Sequence, residues 1–253
     1  MNRMLGNGRH PRVSSLSSAG RSAFFASIAV LALIAPMRAG AELANGRGFW
    51  LTGLGQGSFE AVSPELSKLH WWFDAQLRLF ENRDGFGQGL VRPALGWALA
   101  QRVVVWAGYA WVRDSPATGS ATDEHRIWEQ LIWSHAFEHW SLAVRPRFEQ
   151  RFKETGDDVG WRFRQFVKGT YPFPFLDRLA LASYEELFLN MNDTDWGAAS
   201  GVDSNRFFVG LQWKFDSRGR LKAELGYLNL FTNKSSGLDS MDHLLNVNLF
   251  LTF

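Results

Sequence analysis

The sequence has no cysteine. That excludes a disulfide scaffold and any thiolate metal site, so an exported form must be held by its backbone network or a large core. Beyond the N-terminal region it has no run of about 18 apolar residues, which excludes a membrane-spanning helix from the body of the chain. A surplus of one charge sign is also missing. Lys and Arg number 27 against 25 Asp and Glu, and residues 1–41 hold five of the arginines and no acid. Residues 42–253 therefore carry 22 bases against 25 acids, a net −3, and support for nucleic-acid binding falls away.

What is present begins with the leader. Arg3, Arg9, Arg12 and Arg21 precede the apolar stretch Ala23 to Pro36, and Ala39–Gly40–Ala41 follows. A basic start, a short apolar centre and an A-x-A site are the parts of a secretory signal peptide. Residues 1–41 are expected to be removed by cleavage after Ala41, leaving 42–253 as one exported domain.

That domain alternates. In "LAVRPRFEQRF", Leu142, Val144, Pro146, Phe148 and Phe152 share one parity, and Arg145, Arg147, Glu149 and Arg151 the other. A period of two is a strand with one apolar and one charged face. Eleven segments of this kind are found, 49–59, 69–81, 89–99, 102–113, 125–135, 141–153, 160–171, 178–190, 205–215, 220–231 and 243–253. Short links such as 100–102 and 138–140 alternate with long polar ones such as 113–124 and 190–205, as in outer-membrane barrels. Aromatics gather at two depths. Trp97, Tyr171, Trp213 and Phe253 lie near short-turn or terminal ends, and Trp111, Phe152, Trp161 and Tyr227 near long-loop ends. These are the expected interfacial girdles.

The expected fold is therefore all-β, a transmembrane antiparallel up-and-down barrel in the bacterial outer membrane, with lipid and lipopolysaccharide as surroundings. Single-chain bacterial barrels have even strand numbers. Twelve strands are expected, with a short first strand before Phe49, and ten if 49–59 does not join as an ordinary strand. Pro93 and Pro146 each remove a ladder hydrogen bond, so bulges or broken pairing are expected there. Phe253 closes an alternating strand, like the C-terminal signal read by the barrel-assembly machinery.

With the apolar parity in lipid, the other parity lines a lumen. It carries Arg78, Arg92, Arg126, Arg145, Arg147, Arg151, Lys153, Arg162, Arg164, Lys168, Arg206, Lys214 and Lys222, against Asp74, Glu149, Glu186 and Glu224. Asn190 joins the candidate lining. Guanidinium groups bind carboxylates and phosphates in bidentate fashion. Arg145, Arg147, Arg151, Arg162 and Arg164 are expected to form one basic wall, with Glu149 pairing one or two of them. Glu129 and Glu185 fall on the lipid parity; each is expected near an interface or a bulge, and one facing mid-bilayer would mean a wrong register there.

The stretches "WLTGLGQGSF", "LVRPALGWAL", "VWAGYAWV", "EHRIWEQLIWS", "RPRFEQRF", "DDVGWRFRQ", "YEELFLNMNDTDWG", "NRFFVGLQWKF" and "AELGYLN" resemble a family of outer-membrane barrels grouped as domain of unknown function 2490. They run in order through nearly all of residues 42–253; the aromatic-rich "YPFPFL" with Pro174 is a small departure. The resemblance implies an outer-membrane location and a β-barrel, and little about activity.

Three functions compete. The first is a small channel for anionic solutes. The second is a closed structural or envelope-maintenance barrel, its lumen filled by Arg–Glu pairs. The third is a lipid-modifying hydrolase using His125, His135, His139 or His243 with Ser134 or Ser240, although no spacing marks a triad. No cofactor is expected. No metal is expected either, since "NDTDWG" lacks the ligand spacing of a calcium hand and reads as a solvated turn.

Overall fold

The computed structural model describes residues 43–81, 85–234 and 238–253. The leader and its cleavage point lie outside the described residues. The rest is almost wholly strand: β1 (Ala44–Ser58), β2 (Leu69–Phe80), β3 (Gly85–Ala100), β4 (Val103–Asp114), β5 (Thr122–Ala136), β6 (Ser141–Lys153), β7 (Val159–Phe173), β8 (Leu176–Asn190), β9 (Gly201–Lys214), β10 (Leu221–Thr232) and β11 (Ser240–Thr252). Each pairs with its sequence neighbours, and β1 with β11 closes the ring.

The barrel is the expected one, but the strand number is eleven rather than twelve or ten. The segment at 49–59 joins as a full strand that starts at Ala44, and it lies parallel to β11 from Ala44 opposite Ser240 to Gln56 opposite Thr252. Every other seam is antiparallel. The expectation of an even number assumed that closure must be antiparallel. A parallel ladder satisfies two strand edges as completely, so an odd number closes without leaving an exposed edge. The strands are also long, up to 16 residues in β3, and eleven of them use up the chain.

The short links, among them 101–102 and 174–175, lie at one rim, together with the β1–β2 link that holds two 3-10 turns. The loops at 115–121, 154–158 and 191–200 lie at the other. The prolines act as their chemistry requires. Pairing of β3 with β4 lapses between Val91 and Ala94, around Pro93. Pairing of β5 with β6 lapses between Gln130 and Trp133, opposite Pro146.

The period-two pattern divides the wall cleanly. Leu77, Leu95, Ile127, Leu211, Leu225, Leu245 and Leu249 are exposed on the outside, and so are the aromatics Trp97, Trp111, Phe152, Trp161, Trp213 and Tyr227. A closed sheet with an apolar outer face and a polar interior is the form in which strands cross a bilayer.

Glu129 and Glu185 are on the outer face, but Glu129 is at the middle of β5 and at no bulge, against the expectation, and the inward parity of its neighbours Trp128 and Gln130 keeps the register nonetheless. Glu129, seven residues from each end of β5, accepts from Gln150 Nε2 at 3.1 Å. Glu185 is buried beside Asn205, which donates to it at 2.8 Å. Each carboxyl on the apolar face has a neighbouring amide as partner.

Two apolar clusters stand inside. Trp50, Phe208, Leu228 and Leu244 belong to one, and Trp72, Trp106, Ala110 and Trp128 to the other. Glycine makes room for these rings: a Cβ on Gly96 would lie 2.6 Å from the Trp106 ring.

Candidate functional site

The inward parity carries the charges, most of them on β2 through β9. Arg78, Arg92, Arg126, Arg145, Arg147, Glu149, Arg151, Arg162, Arg164, Glu186, Asn190 and Arg206 all stand on the inner face, and only Arg145, Arg151 and Arg206 escape full burial. Asn190 donates to Ala199 O and Asp203 Oδ1, both at 3.1 Å, and ties the end of β8 to the start of β9.

The arginines are organised around four carboxylates. Asp74 takes Arg92 through Nε at 3.0 Å and Nη2 at 2.9 Å, and also the Trp72 indole N–H at 2.8 Å. Glu124 takes Arg126 at 2.7 Å and Arg151 at 2.6 Å. Glu149 takes Arg162 and Arg164, each at 2.5 Å, with Arg147 at 3.6 Å. Glu186 takes Arg164 at 2.6 Å, Arg145 at 3.0 Å and Arg206 at 3.4 Å. Arg164 thus links two of these centres. Both oxygens of each carboxylate accept hydrogen bonds from these groups, which offsets the cost of burying the charges.

Two expectations need correction. Glu149 meets three arginines, not one or two. The inner face also holds more acid than its four expected members. Glu124 belongs to it, and Asp114, Asp203 and Asp242 line the outer mouth. The sequence pattern puts Glu124 at the end of the 113–124 loop. Since β5 begins at Thr122, its parity with Arg126 and Trp128 was the signal that places it inside.

Arg78 is different. Among the described residues it has no carboxylate partner; it donates to Gln76 at 2.8 Å and to Gln88. Its guanidinium lies 3.6 Å over the Trp50 ring, and Arg206 lies over the same ring at 4.7 Å. Arg206 is also 4.2 Å over Phe188, where Arg164 stacks at 4.5 Å. Arginine and aromatic planes so alternate across the lumen, each desolvated cation facing a π surface.

Three cavities follow one another along the axis. The outer vestibule, about 270 Å³, lies at the long-loop rim, where Asp114 ends β4 and Thr122 opens β5. A central cavity of about 260 Å³ is lined by Arg92, Arg145, Arg164 and Glu186. The inner vestibule, about 680 Å³, opens at the short-turn rim beside Ser58, Ser141 and Thr252. Arg206 lines both the outer vestibule and the central cavity, and Lys168 both the central cavity and the inner vestibule. Those two side chains mark the junctions.

Cations exceed carboxylates in each. The outer vestibule has Arg78, Arg126, Arg151, Lys153, Arg162, Arg206 and Lys234 against Asp114, Glu124, Asp203 and Asp242. The central cavity has five against Asp74, Glu186 and Glu224. The inner vestibule has Lys168, Lys214 and Lys222, and among the described residues no Asp or Glu side chain lines it.

The "NDTDWG" segment is an exposed turn, as expected, and it is also tied to the neighbouring loop. Asp195 accepts from the backbone N–H of Asp157 at 2.8 Å and Asp158 at 3.2 Å. Asp158 accepts in return from Asp195 N at 2.8 Å, and its carbonyl takes the Trp196 indole N–H at 2.8 Å. Trp196 reaches over Arg151 at 4.9 Å and lies against Gly160, where a Cβ would meet the ring at 2.5 Å. These aspartates clasp the β6–β7 loop to the β8–β9 loop. Among the described residues no three His, Asp or Glu side chains converge as metal ligands.

The serine and histidine candidates stand apart. His125 and His243 are on the outer face, hydrogen-bonded to Tyr109 and Tyr227. Ser240 is inside, at the outer vestibule, and Ser134 is inside, at the inner one. His135 packs against Phe137 on the outside at the short-turn rim.

Comparison with known proteins places the chain. Residues 47–242 match the family described as "Protein of unknown function (DUF2490)". An uncharacterized protein of Methylorubrum extorquens is 31% identical over 229 residues, covering 89% of this chain and 96% of that one. Among solved structures the chain is similar to a KdgM porin, with a TM-score of 0.38, 13% identity and coverage of 63% of this chain and 76% of the other. It is also similar to LpxR from Salmonella typhimurium, with a TM-score of 0.45, 8% identity and coverage of 74% and 84%. The chain belongs to the DUF2490 family.

Proposed function

We propose that this DUF2490 barrel lies in the bacterial outer membrane, surrounded by lipid and lipopolysaccharide, and passes small anionic solutes through its lumen. The observation that carries the reading is the excess of cations over carboxylates in all three cavities. A lumen built only to be filled has reason to approach neutrality, because each uncompensated buried charge costs several kcal/mol, on the order of 3–5 when a partner is removed. Cations lining a pore lower the barrier to anions and raise it to other cations. Arg206 and Lys168, which each line two successive cavities, are the groups that a moving anion would meet on passing from one to the next. Recognition of the last strand by the barrel-assembly machinery is part of this reading, and the exposure of Phe253 beside Trp71 supports it.

A second reading, a closed envelope barrel, draws on the completeness of the ion-pair network: Arg147, Glu149 and Asp74 are each no more than 1% exposed. One measurement separates the two. Refolded protein is inserted into a planar bilayer under a salt gradient and its reversal potential recorded. An anion-selective conductance that shifts toward cations in Arg147→Gln/Arg164→Gln and in Arg206→Gln supports the channel. A wild type that inserts without conducting, or variants with unchanged selectivity, overturns it in favour of the closed barrel.

A further inference from the structure

The inner vestibule is the largest of the three cavities, and its two walls differ in chemistry. Lys214 of β9 and Lys222 of β10 are direct register partners, both facing inward, with Gln212 beside them and Lys168 of β7 nearby. The facing wall is Val104 and Trp106 of β4 with Ile132 of β5. Around the ring, β4 and β10 are six strands apart in one direction and five in the other, so the two walls lie across the lumen from each other.

Like charges directly opposite in a ladder are destabilising. No Asp or Glu side chain among the described residues pairs directly with either lysine. Glu224 takes Lys168 at 2.5 Å. Asp216, in the β9–β10 turn, points its carboxylate into its own turn and accepts from the backbone N–H groups of Arg218, Leu221 and Arg220 at 2.9, 2.7 and 3.2 Å. Those bonds hold its pKa below the ordinary aspartate value. Among the described residues Lys214 and Lys222 have no ion-pair partner. The opposite wall is aromatic, with His70 edge-on to Trp106 at 6.1 Å and Trp72 at 5.5 Å from Trp106.

We propose that the inner vestibule is a binding site for small aromatic carboxylates, the anionic group held by Lys214 and Lys222 and the ring laid against the Trp106 wall. A purely inorganic anion would use one wall only. A space of about 680 Å³ is within the range that holds a ligand of one or two rings. The proposal names the solute class of the channel reading and rests on it for its role. Binding itself does not depend on conduction.

The test uses the refolded chain in detergent, with benzoate as probe and titration calorimetry as readout. Acetate keeps the charge without the ring, and benzamide keeps the ring without the charge. Benzoate is expected to bind about tenfold or more tightly than either. Lys214→Gln/Lys222→Gln should weaken benzoate about tenfold, while Arg47→Gln, exposed on β1 and outside all three cavities, leaves it unchanged. Benzoate should also slow acetylation of Lys214 and Lys222 in the wild type, a readout that needs no variant to fold. Equal binding of acetate and benzoate, or no protection of the two lysines, overturns the site. Benzoate binding without bilayer conductance keeps the site and removes the channel; anion-selective conductance without benzoate binding does the reverse.

Discussion

At the long-loop end of the lumen, Glu124, Glu149 and Glu186 each hold two or three arginines, and the loops above are tied by reciprocal bonds between Asp158 and Asp195. At the short-turn end, Lys214 and Lys222 face each other, and among the described residues no Asp or Glu side chain lines the cavity around them. The residue types suit these settings. Arginine is planar and always charged, so it can be packed dry against carboxylates and aromatic faces. Lysine is a hydrated point charge on a flexible stem, which reaches water at an open mouth and needs no fixed partner. The outer half is therefore a structural assembly that carries charge, and the inner half a wall of charge still available to a ligand.

The comparison predicts that the two halves respond differently to the loss of one side chain, and the largest effect belongs to Glu149. Removing its charge leaves Arg162 and Arg164 buried with reduced compensation. Glu149→Gln is expected to destabilise the barrel by about 3–5 kcal/mol, read as a lower urea midpoint of the folded, heat-modifiable band. Adding Arg162→Gln should recover part of that loss. If Glu149→Gln costs no more than Lys214→Gln, the outer half is not the integrated network its geometry describes.

A lipid-face substitution calibrates that scale. Leu211 lies on the outer face of β9, 48% exposed, and pairs with Leu181 and Leu225. Leu211→Arg is expected to cost about 2–4 kcal/mol where the side chain lies near the bilayer midplane. Lys214→Arg, three residues away on the inner face, should be close to neutral. Equal effects would mean that the faces are reversed.

These assignments were legible in the sequence because strand parity has only two values. Once Leu211 is outside, Lys214 and Arg206 are inside, and no tertiary information is needed. The same parity found the arginines of β6 and β7. It did not find Glu124, because the start of β5 was set three residues late. Nor could it find the parallel seam: β1 and β11 meet only when the ring closes, and strand direction at that seam is a property of the count. The asymmetry of the inner vestibule was hidden for a similar reason. Lys222 and Trp106 are 116 positions apart, and only the ring order sets them face to face.

The inner half should show the opposite sign. Lys214→Gln removes a repulsion with Lys222 and breaks no ion pair. A gain of about 0.2–1 kcal/mol is expected, measurable as a higher urea midpoint that shrinks as salt screens the wild-type repulsion. A loss of stability would place Lys214 in a network like that of the arginines and dissolve the distinction between the halves.

The smallest effect is expected at the loop clasp, outside the bilayer. The backbone N–H of Asp157, with that of Asp158, donates to the Asp195 carboxylate and holds its pKa below the ordinary aspartate value. A carboxyl whose pKa is lowered in the folded state contributes a tie that is fully present above the unfolded value, about 3.9, and is lost as pH falls through the lowered one. The clasp should thus be indifferent to pH between about 5 and 8 and should loosen only below about pH 4. Asp195→Asn keeps one acceptor oxygen and removes the charge. Hydrogen exchange at the Asp157 amide should speed up in this variant at neutral pH, while amides of the β9–β10 turn, whose own Asp216 is untouched, keep their rates. If conductance of the variant rises along with that exchange, the clasp restricts the outer mouth, and the two ends differ in access as well as in charge. If exchange at Asp157 is unchanged, the reciprocal bonds do not hold the loops together, and the outer end is no more closed than the inner one.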